Sequence, residues 1–150
     1  MTHPTPVVET ILSLFDGQQL GVLSTHCKGH PYASLVAFAY TDDLTRLFFV
    51  TSRATRKYDN IAADDRVAML IDSRSNQEID FHEARAVTVT GRVHEASGDE
   101  AATLKERYLI RHPFLKNFVH APTCALMVMR VQRCILVEQF QNVTEYEVAP

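Results

Sequence analysis

Hydrophobic and polar residues alternate along most of this chain with the two-residue period of β-strands. Alternation, or a short apolar run, predicts strands over residues 20–25, 31–40, 47–50, 67–71, 84–96, 125–131, 134–140 and 144–148. Residues 67–71 are almost continuously apolar, so we expect that strand to be buried on both faces. Gly91 interrupts the longest strand and indicates a bulge or a close backbone approach. This pattern favours a mainly β fold, a β-barrel with peripheral α-helices, over repeated βαβ units.

A smaller number of segments follow the helical period. Thr5 as N-cap and Pro6 at the first position predict a helix that ends near Gly17. A second helix is predicted from about Ser52 to Ala63. Ser97 to Glu100 has the sequence of a capping box and predicts a third helix that reaches about Arg111. Residues 114–119 predict one more short helix, and residues 73–83 have the composition of a loop.

The passage from the third strand into the second helix, LFFVTSRATRKYDNI, carries the chemistry of an anion site. The first backbone N–H groups of a helix lack intrahelical partners and attract negative charge. Hydroxyl groups of Thr51, Ser52 and Thr55 can donate hydrogen bonds to oxyanions, while Arg56 and Lys57 supply a bidentate fork and a point charge. This combination suits a phosphate ester. An ordinary capped surface helix with solvated basic residues is the alternative interpretation.

Two segments, GVLSTHCKGHPYASLVAFAY before this junction and LFFVTSRATRKYDNIAADDRVAMLID, which contains it, resemble the pyridoxamine 5'-phosphate oxidase-like, FMN-binding split-barrel family. The similarity continues more weakly through ARAVTVTGRVHEA and ALMVMRVQRCILVEQF. The resemblance implies a Greek-key antiparallel split barrel. It also implies that Arg56 and Lys57 neutralise the FMN phosphate and that Thr51, Ser52 and Thr55 complete its hydrogen bonds.

The same resemblance extends the expected site toward the flavin ring. Ser34 and Leu35 would offer groups to the isoalloxazine or the ribityl chain. Ala86, with Arg85 beside it, stands where the family often carries an amide side chain near the ring. The chain ends QNVTEYEVAP and lacks the Arg- and His-bearing segment with which true pyridoxamine phosphate oxidases grip their substrate. We therefore do not expect that enzyme activity.

Three functional classes follow from the resemblance. The first is an FMN-dependent oxidoreductase whose flavin exchanges electrons with a nicotinamide or another soluble small molecule. A haem-binding or haem-degrading relative and a flavin-binding module without turnover are the others, and a deazaflavin could replace FMN. A homodimer with the flavin at its interface is expected, because a small barrel fills its interior with side chains and one outer face covers a ring poorly.

Composition narrows the remaining possibilities. A chain of 150 residues with 46% hydrophobic content predicts a single domain over 1–150, and a net charge of −3 argues against nucleic acid as a partner. Three cysteines without CxxC spacing indicate neither a disulfide framework nor a zinc site, and they favour a reducing cytoplasm. No signal peptide or membrane-spanning run is evident.

The sequence lacks the motifs of several other kinds of site. There is no HExxH, GxSxG, GxGxxG or Walker sequence, so a metal site, a serine hydrolase site and a dinucleotide site are not expected. His112 and His120 flank the short helix eight residues apart, which is roughly two turns and therefore one face, but solvated or hydrogen-bonded histidines are favoured over a metal or haem role. No side chain is a convincing catalytic acid or base.

Overall fold

The computed structural model describes residues 5–148, and its strands close into an antiparallel barrel. The strands are β1 (Leu20–Cys27), β2 (His30–Tyr40), β3 (Arg46–Ser52), β4 (Arg66–Asp72), β5 (Arg85–Glu95), β6 (Cys124–Glu138) and β7 (Asn142–Glu147). Their order is β3-β2-β1-β4-β5-β6-β7, and β3 also pairs with β6. Six strands therefore form the closed barrel, and β7 extends from β6. The predicted mainly β barrel is confirmed.

The connections follow a Greek key. A two-residue turn at Lys28 and Gly29, both with positive φ, joins β1 to β2, as the turn chemistry of a hairpin requires. β3 continues this meander, and the chain then crosses over so that β4 pairs with β1 on its free side. β5 and β6 complete the second half of the barrel.

β6 is one continuous strand of 15 residues, so the prediction of two strands over 125–131 and 134–140 is wrong. Gln132 lies between the two predicted strands, and together with Arg133 it stands where the β5–β6 register shifts between Thr90 and Gly91. A Cβ atom on Gly91 would lie 2.1 Å from the carbonyl oxygen of Arg130. The close approach predicted at Gly91 is confirmed. Phe140 lies in the turn after β6.

The helices are α1 (Pro6–Asp16), α2 (Arg56–Ala63), α3 (Asp80–Glu83), α4 (Gly98–Arg111) and α5 (Lys116–His120), with a 3-10 turn at Pro113–Leu115 before α5. Thr5 caps α1 as predicted, accepting a hydrogen bond from the backbone N–H of Val8. The capping box at Ser97 does not form, because the Ser97 side chain makes no capping bond and Glu100 instead contacts His94. Within the loop predicted over residues 73–83, the single turn α3 forms.

Two layers of apolar side chains stabilise the fold. The barrel interior is closed by α1, whose Ile11 and Phe15 are fully buried. Outside the barrel, α4 and α5 cover β3 and β6 with Leu104, Tyr108 and Val119. Burial of this kind contributes about 1.5–3 kcal/mol for each large side chain.

β4 is not buried on both faces, which corrects the prediction for residues 67–71. Val67, Met69 and Ile71 point into the barrel, whereas Ala68 is only half-buried and Leu70 is exposed. The apolar run therefore leaves an apolar outer face in the single chain. No helix within residues 5–148 is long and apolar enough to cross a membrane.

Candidate functional site

The junction between β3 and α2 is built by hydroxyl side chains. α2 begins at Arg56, four residues later than predicted, because Thr55 is the N-cap and accepts a hydrogen bond from the N–H of Tyr58 at 3.3 Å. Buried Thr51 lies 2.9 Å from Thr55, oxygen to oxygen. The Ser52 hydroxyl accepts from the N–H of Ala54. These bonds fix the backbone that presents the first turn of α2.

Arg56 and Lys57 occupy the first two positions of α2. Within residues 5–148, neither side chain lies within 4.0 Å of a carboxylate, unlike most other arginines of the chain. Their backbone N–H groups also have no acceptor among these residues. Burial lowers the pKa of half-buried Lys57 from its ordinary value. The helix start therefore offers two cations and two backbone donors to an anion.

Arg53 belongs to a different network, although it stands in the same basic run. Its guanidinium donates to Glu95 at 2.8 Å and to the carbonyl of Pro122 at 2.9 Å. The Tyr58 hydroxyl donates to the same Glu95 carboxylate at 2.8 Å. Glu95 thus ties the segment before α2 and the first turn of α2 to the end of β5. Arg53 is not available to neutralise a ligand.

A groove of about 230 Å³ opens beside the helix start. Its polar lining comes from Thr51, Ser52, Thr55 and Lys57, so the structure brings these four predicted residues together, whereas Arg56 is not among the lining residues. The rest is apolar and is lined by Leu35, Val36, Ala37, Val50, Tyr108, Leu115 and Phe118. This shape would suit a ligand with an anionic end and a longer uncharged part.

One wall of the groove comes from α4, the 3-10 turn and α5, which the sequence did not point to. Burial raises the pKa of Tyr108 to about 12, and its hydroxyl donates to the carbonyl of Ala37 at 2.9 Å. Phe118 is 40% exposed at the edge of the groove. The apolar spacing of α4 predicted only a core-facing helix, so sequence periodicity gave no signal for this wall.

Ser34 and Leu35 lie on opposite faces of β2, as neighbours on a strand must. Leu35 is 66% exposed and lines the groove. The Ser34 hydroxyl oxygen is buried and has no hydrogen-bond partner within residues 5–148. Only Leu35 of this pair reaches the groove with its side chain; a flavin-binding role for either residue stays a prediction.

Arg85 lies outside the groove. It begins β5, and its Nε donates to Glu138 at 2.9 Å. It lines a separate cleft with Phe81 and Phe140, and the groove and this cleft share no lining residue. In one chain, Arg85 is therefore not brought together with Arg56 and Lys57.

The histidine pair predicted on one helical face is separated by the structure. His112 ends α4, is buried, and has its Nε2 atom 2.7 Å from the carbonyl of Phe38, while burial lowers the pKa of its imidazole. His120 ends α5 beyond the 3-10 turn and is exposed. Among residues 5–148, no group of three or more His, Cys, Asp or Glu side chains could hold a metal ion.

Comparison with known proteins identifies relatives. The family model described as pyridoxamine 5'-phosphate oxidase matches residues 7–138. No curated protein sequence matches the chain at a significant level. Among solved structures, a haem-binding protein from Mycobacterium smegmatis superposes with a TM-score of 0.84 at 21% identity; the match covers 98% of this chain and 60% of that one. This chain therefore spans about three fifths of that protein.

Two further structures share the fold along nearly their whole length. The General Stress Protein 26 of Bacillus anthracis has a TM-score of 0.74 at 20% identity, with 95% of this chain and 99% of that chain covered. An FAD-binding protein from Mesorhizobium loti has a TM-score of 0.68 at 18% identity, with coverages of 85% and 90%. At these identities the likeness shows the fold alone.

Proposed function

The chain belongs to the pyridoxamine 5'-phosphate oxidase family, and we propose that it is a flavoprotein that holds FMN by its phosphate at the start of α2. The observation that carries the proposal is the pair of cations, Arg56 and Lys57, which have no carboxylate partner within residues 5–148 and stand beside backbone N–H groups without acceptors. A phosphate monoester is close to a dianion at pH 7. Two cations and the positive end of a helix match that charge.

Each residue of the site has a distinct role in this proposal. Arg56 forms a bidentate contact with two phosphate oxygens, and Lys57 adds a point charge from inside the groove. Ser52 and Thr55 donate hydroxyl hydrogen bonds, while Thr51, bonded to Thr55, orients that hydroxyl. The apolar groove wall at Leu35 contacts the uncharged chain that follows the phosphate. FMN, FAD and riboflavin differ in the phosphate group that these residues would bind.

Titration of the apo-protein with FMN, FAD and riboflavin tests the phosphate assignment. Charge-assisted hydrogen bonds contribute about 1.5–3 kcal/mol each, so FMN should bind at least about a hundredfold more tightly than riboflavin. FAD replaces the terminal dianion by a diester and should bind less tightly than FMN. Equal affinities for FMN and riboflavin would show that the junction does not bind phosphate.

We further propose an oxidoreductase activity for the FMN-bound protein. Bound FMN would supply the redox chemistry, and the chain would hold and orient it and limit the access of water. Anaerobic mixing with NADH or NADPH should bleach the absorption of the oxidised flavin if a nicotinamide is the donor. A flavin that these donors leave oxidised, and that other soluble donors also fail to reduce, would favour a binding module without turnover.

Haem binding is the second candidate, because the haem-binding protein of Mycobacterium smegmatis shares the fold along 98% of this chain. Buried His112 is a poor axial ligand, since its Nε2 atom is already bonded to the carbonyl of Phe38. An exposed histidine such as His120 would have to serve instead. The absorption spectrum of the purified protein separates the two cofactors, because a flavin and a haem absorb at different wavelengths.

We also propose that the protein forms a homodimer with the flavin at the interface. Leu20, Leu35 and Leu70 are 53%, 66% and 36% exposed on the outer side of β1, β2 and β4. Val22 stands between them, paired with Leu35 on one side and with Leu70 on the other. This surface, named here the β1–β2–β4 face, adjoins the groove through Leu35. A cytoplasmic location completes the proposal and agrees with three free cysteines.

A further inference from the structure

A cleft of about 690 Å³ lies at the other end of β3 from the junction with α2. Arg46 begins β3 and Ser52 ends it, so at about 3.3 Å per residue the two are roughly 20 Å apart along the strand. This cleft, named here the Arg130 cleft, shares no lining residue with the groove or with the cleft at Arg85. Its charged and polar lining includes Arg46, His94, Glu100, Arg130 and Glu147.

A row of four arginines crosses the outer face of the barrel beside this cleft. Arg130 of β6 stands opposite Arg46 of β3 on one side and opposite Arg92 of β5 on the other. Arg66 of β4 continues the row beyond Arg92. All four point outward, because their neighbours along each strand belong to the barrel core. Like charges directly opposite each other destabilise a sheet, so the row lowers stability unless each charge has a partner.

The row is only partly neutralised. Arg66 pairs with Asp64 at 2.7 Å, and Arg92 pairs with Asp65 at 2.8 Å. Arg130 has no carboxylate within 4.0 Å among residues 5–148. An uncompensated cation therefore lies between two other cations.

The carboxylates that line the cleft are held by other side chains. Glu100 lies 2.7 Å from the Nε2 atom of His94 but 3.8 Å from Arg46, which is beyond hydrogen-bond distance. Glu147 accepts a hydrogen bond from the Nε of Arg133 at 2.6 Å. Neither carboxylate forms a close pair with the arginines of the cleft. These arginines stay open to an anion from solution.

The spacing of Arg46 and Arg130 suits one doubly charged group. The N–H of Val131 donates to the carbonyl of Thr45 at 2.9 Å, so the next pair along the strands is of the non-hydrogen-bonded kind. That pair is Arg46 and Arg130, and in such pairs the Cα atoms are about 4.5 Å apart and the side chains are closest. Two guanidinium groups that start so close together can bind the same tetrahedral dianion.

We propose that the Arg130 cleft binds the phosphate group of a small molecule between Arg46 and Arg130. Val131 and Val148 also line the cleft and would contact an apolar part of that molecule. The volume falls within the range of small-molecule sites. The proposal does not rest on the FMN assignment, which concerns the opposite end of β3. A row of arginines that only faces water would instead bind any anion weakly, without dependence on one residue.

Phenyl phosphate is the probe for equilibrium dialysis at physiological ionic strength, since it is close to a dianion at about pH 7.5. Phenyl sulfate has a similar shape and one charge, and phenol has none. The dialysis uses the double variant Arg56→Ala/Lys57→Ala, named here the background protein, which lacks both cations of the α2 site. We expect phenyl phosphate to bind at least about tenfold more tightly than phenyl sulfate, and phenol to bind more weakly still.

Arg130→Gln in the background protein should weaken phenyl phosphate about tenfold or more, because it removes a bidentate contact. Arg46→Gln should weaken it about threefold to tenfold. Arg74→Gln is the matched control, since Arg74 is exposed, pairs with Asp72 at 2.7 Å and does not line the cleft. The proposal is wrong if phenyl phosphate does not bind the background protein, if Arg130→Gln leaves its affinity unchanged, or if the control loses as much.

Thermal unfolding separates a loss of binding from a loss of fold. Without phosphate, Arg130→Gln should unfold at or above the midpoint of the parent, because it removes a cation from between Arg46 and Arg92. Phenyl phosphate should then raise the midpoint of the parent more than that of the variant, through mass action. A variant that unfolds well below the parent would assign Arg130 a structural role and overturn the proposal. A protein that binds phenyl phosphate here but binds no FMN would contradict the proposed function alone.

Discussion

The guanidinium carbon of Arg56 lies 5.2 Å from the centre of the Tyr32 ring. This contact joins β2 to the first residue of α2 and holds a cation without neutralising it. A carboxylate in the same place would compete with any anionic ligand. The aromatic face contributes about 0.5–1 kcal/mol at an exposed site and leaves the N–H donors of Arg56 free.

Replacement of Arg56 by alanine should weaken FMN about tenfold to a hundredfold, because the phosphate loses a charge-assisted bidentate contact. Riboflavin affinity should change little. Flavin fluorescence during titration of the apo-protein measures both. Arg133→Ala is the control. Arg133 lies on β6 and pairs with Glu147 of β7, so its removal should leave both affinities unchanged. An Arg56→Ala protein that binds FMN as the parent does would contradict the assigned role.

Replacement of Tyr32 by leucine should weaken FMN by about twofold to fivefold, because Arg56 loses the ring that holds its side chain in position. Tyr32→Phe keeps an aromatic face and should retain the affinity of the parent. Titration with FMN compares the three proteins. If the leucine and phenylalanine variants reduce FMN affinity equally, the tyrosine hydroxyl, and not the ring, positions Arg56.

FMN affinity should fall in alkaline solution, at a lower pH than an exposed lysine would require. Burial lowers the pKa of Lys57 below its ordinary value of 10.5, so the free protein loses this charge earlier than an exposed lysine would. The phosphate favours the protonated form, and binding therefore takes up a proton. Above the second pKa of the phosphate, about 6, affinity stays full until pH reaches the pKa of Lys57 in the free protein, and it declines as pH rises through that value. Lys57→Arg stays protonated and should show a flatter profile in the same titrations.

Gly91→Ala should destabilise the barrel. The added Cβ atom would lie 2.1 Å from the Arg130 carbonyl oxygen, which belongs to the backbone and cannot turn aside. Forced separation of β5 and β6 should cost about 1–3 kcal/mol or more, and thermal unfolding should show a lower midpoint. Gly17→Ala, whose Cβ would have its nearest neighbour at 3.7 Å, is the control and should unfold near the parent's midpoint.

The sequence predicted the fold well where local chemistry decides it. Thr5 caps α1 and Pro6 opens it, as predicted, because these residues suit those backbone conformations directly. The prediction failed where contacts between distant parts of the chain decide the local structure. Glu100 contacts His94 on β5 and does not complete a capping box, and the polar residues inside β6 sit at a bulge that depends on its pairing with β5.

The candidate site divides in the same way. Thr51, Ser52, Thr55 and Lys57 converge because they are close in sequence around one strand end, so a local motif was enough to group them. Tyr108 and Phe118 reach the same groove from more than 50 residues away, and their spacing indicated only a helix face. Arg85 followed from the family resemblance alone, and the single chain places it in another cleft.

Dimerisation through the β1–β2–β4 face should depend on its exposed leucines. A stable interface buries about 800 Å² on each partner and is apolar at its centre. By contrast, the apolar outer face of β6 is covered by α4 and α5 of the same chain and needs no partner. Leu20→Asp should therefore convert a dimer into monomers, because it would bury an unpaired charge in the contact.

Light scattering on dilute protein, with and without FMN, measures the mass of the particle and so distinguishes dimer from monomer. Ile110→Asp places the same charge at an apolar residue that is 78% exposed on α4, and it should leave the dimer intact. If FMN is bound at the interface, its removal should loosen the parent dimer through mass action, and Leu20→Asp should weaken FMN as well as association. A particle of one chain's mass that is fully loaded with FMN would show that the flavin site is complete within a single chain.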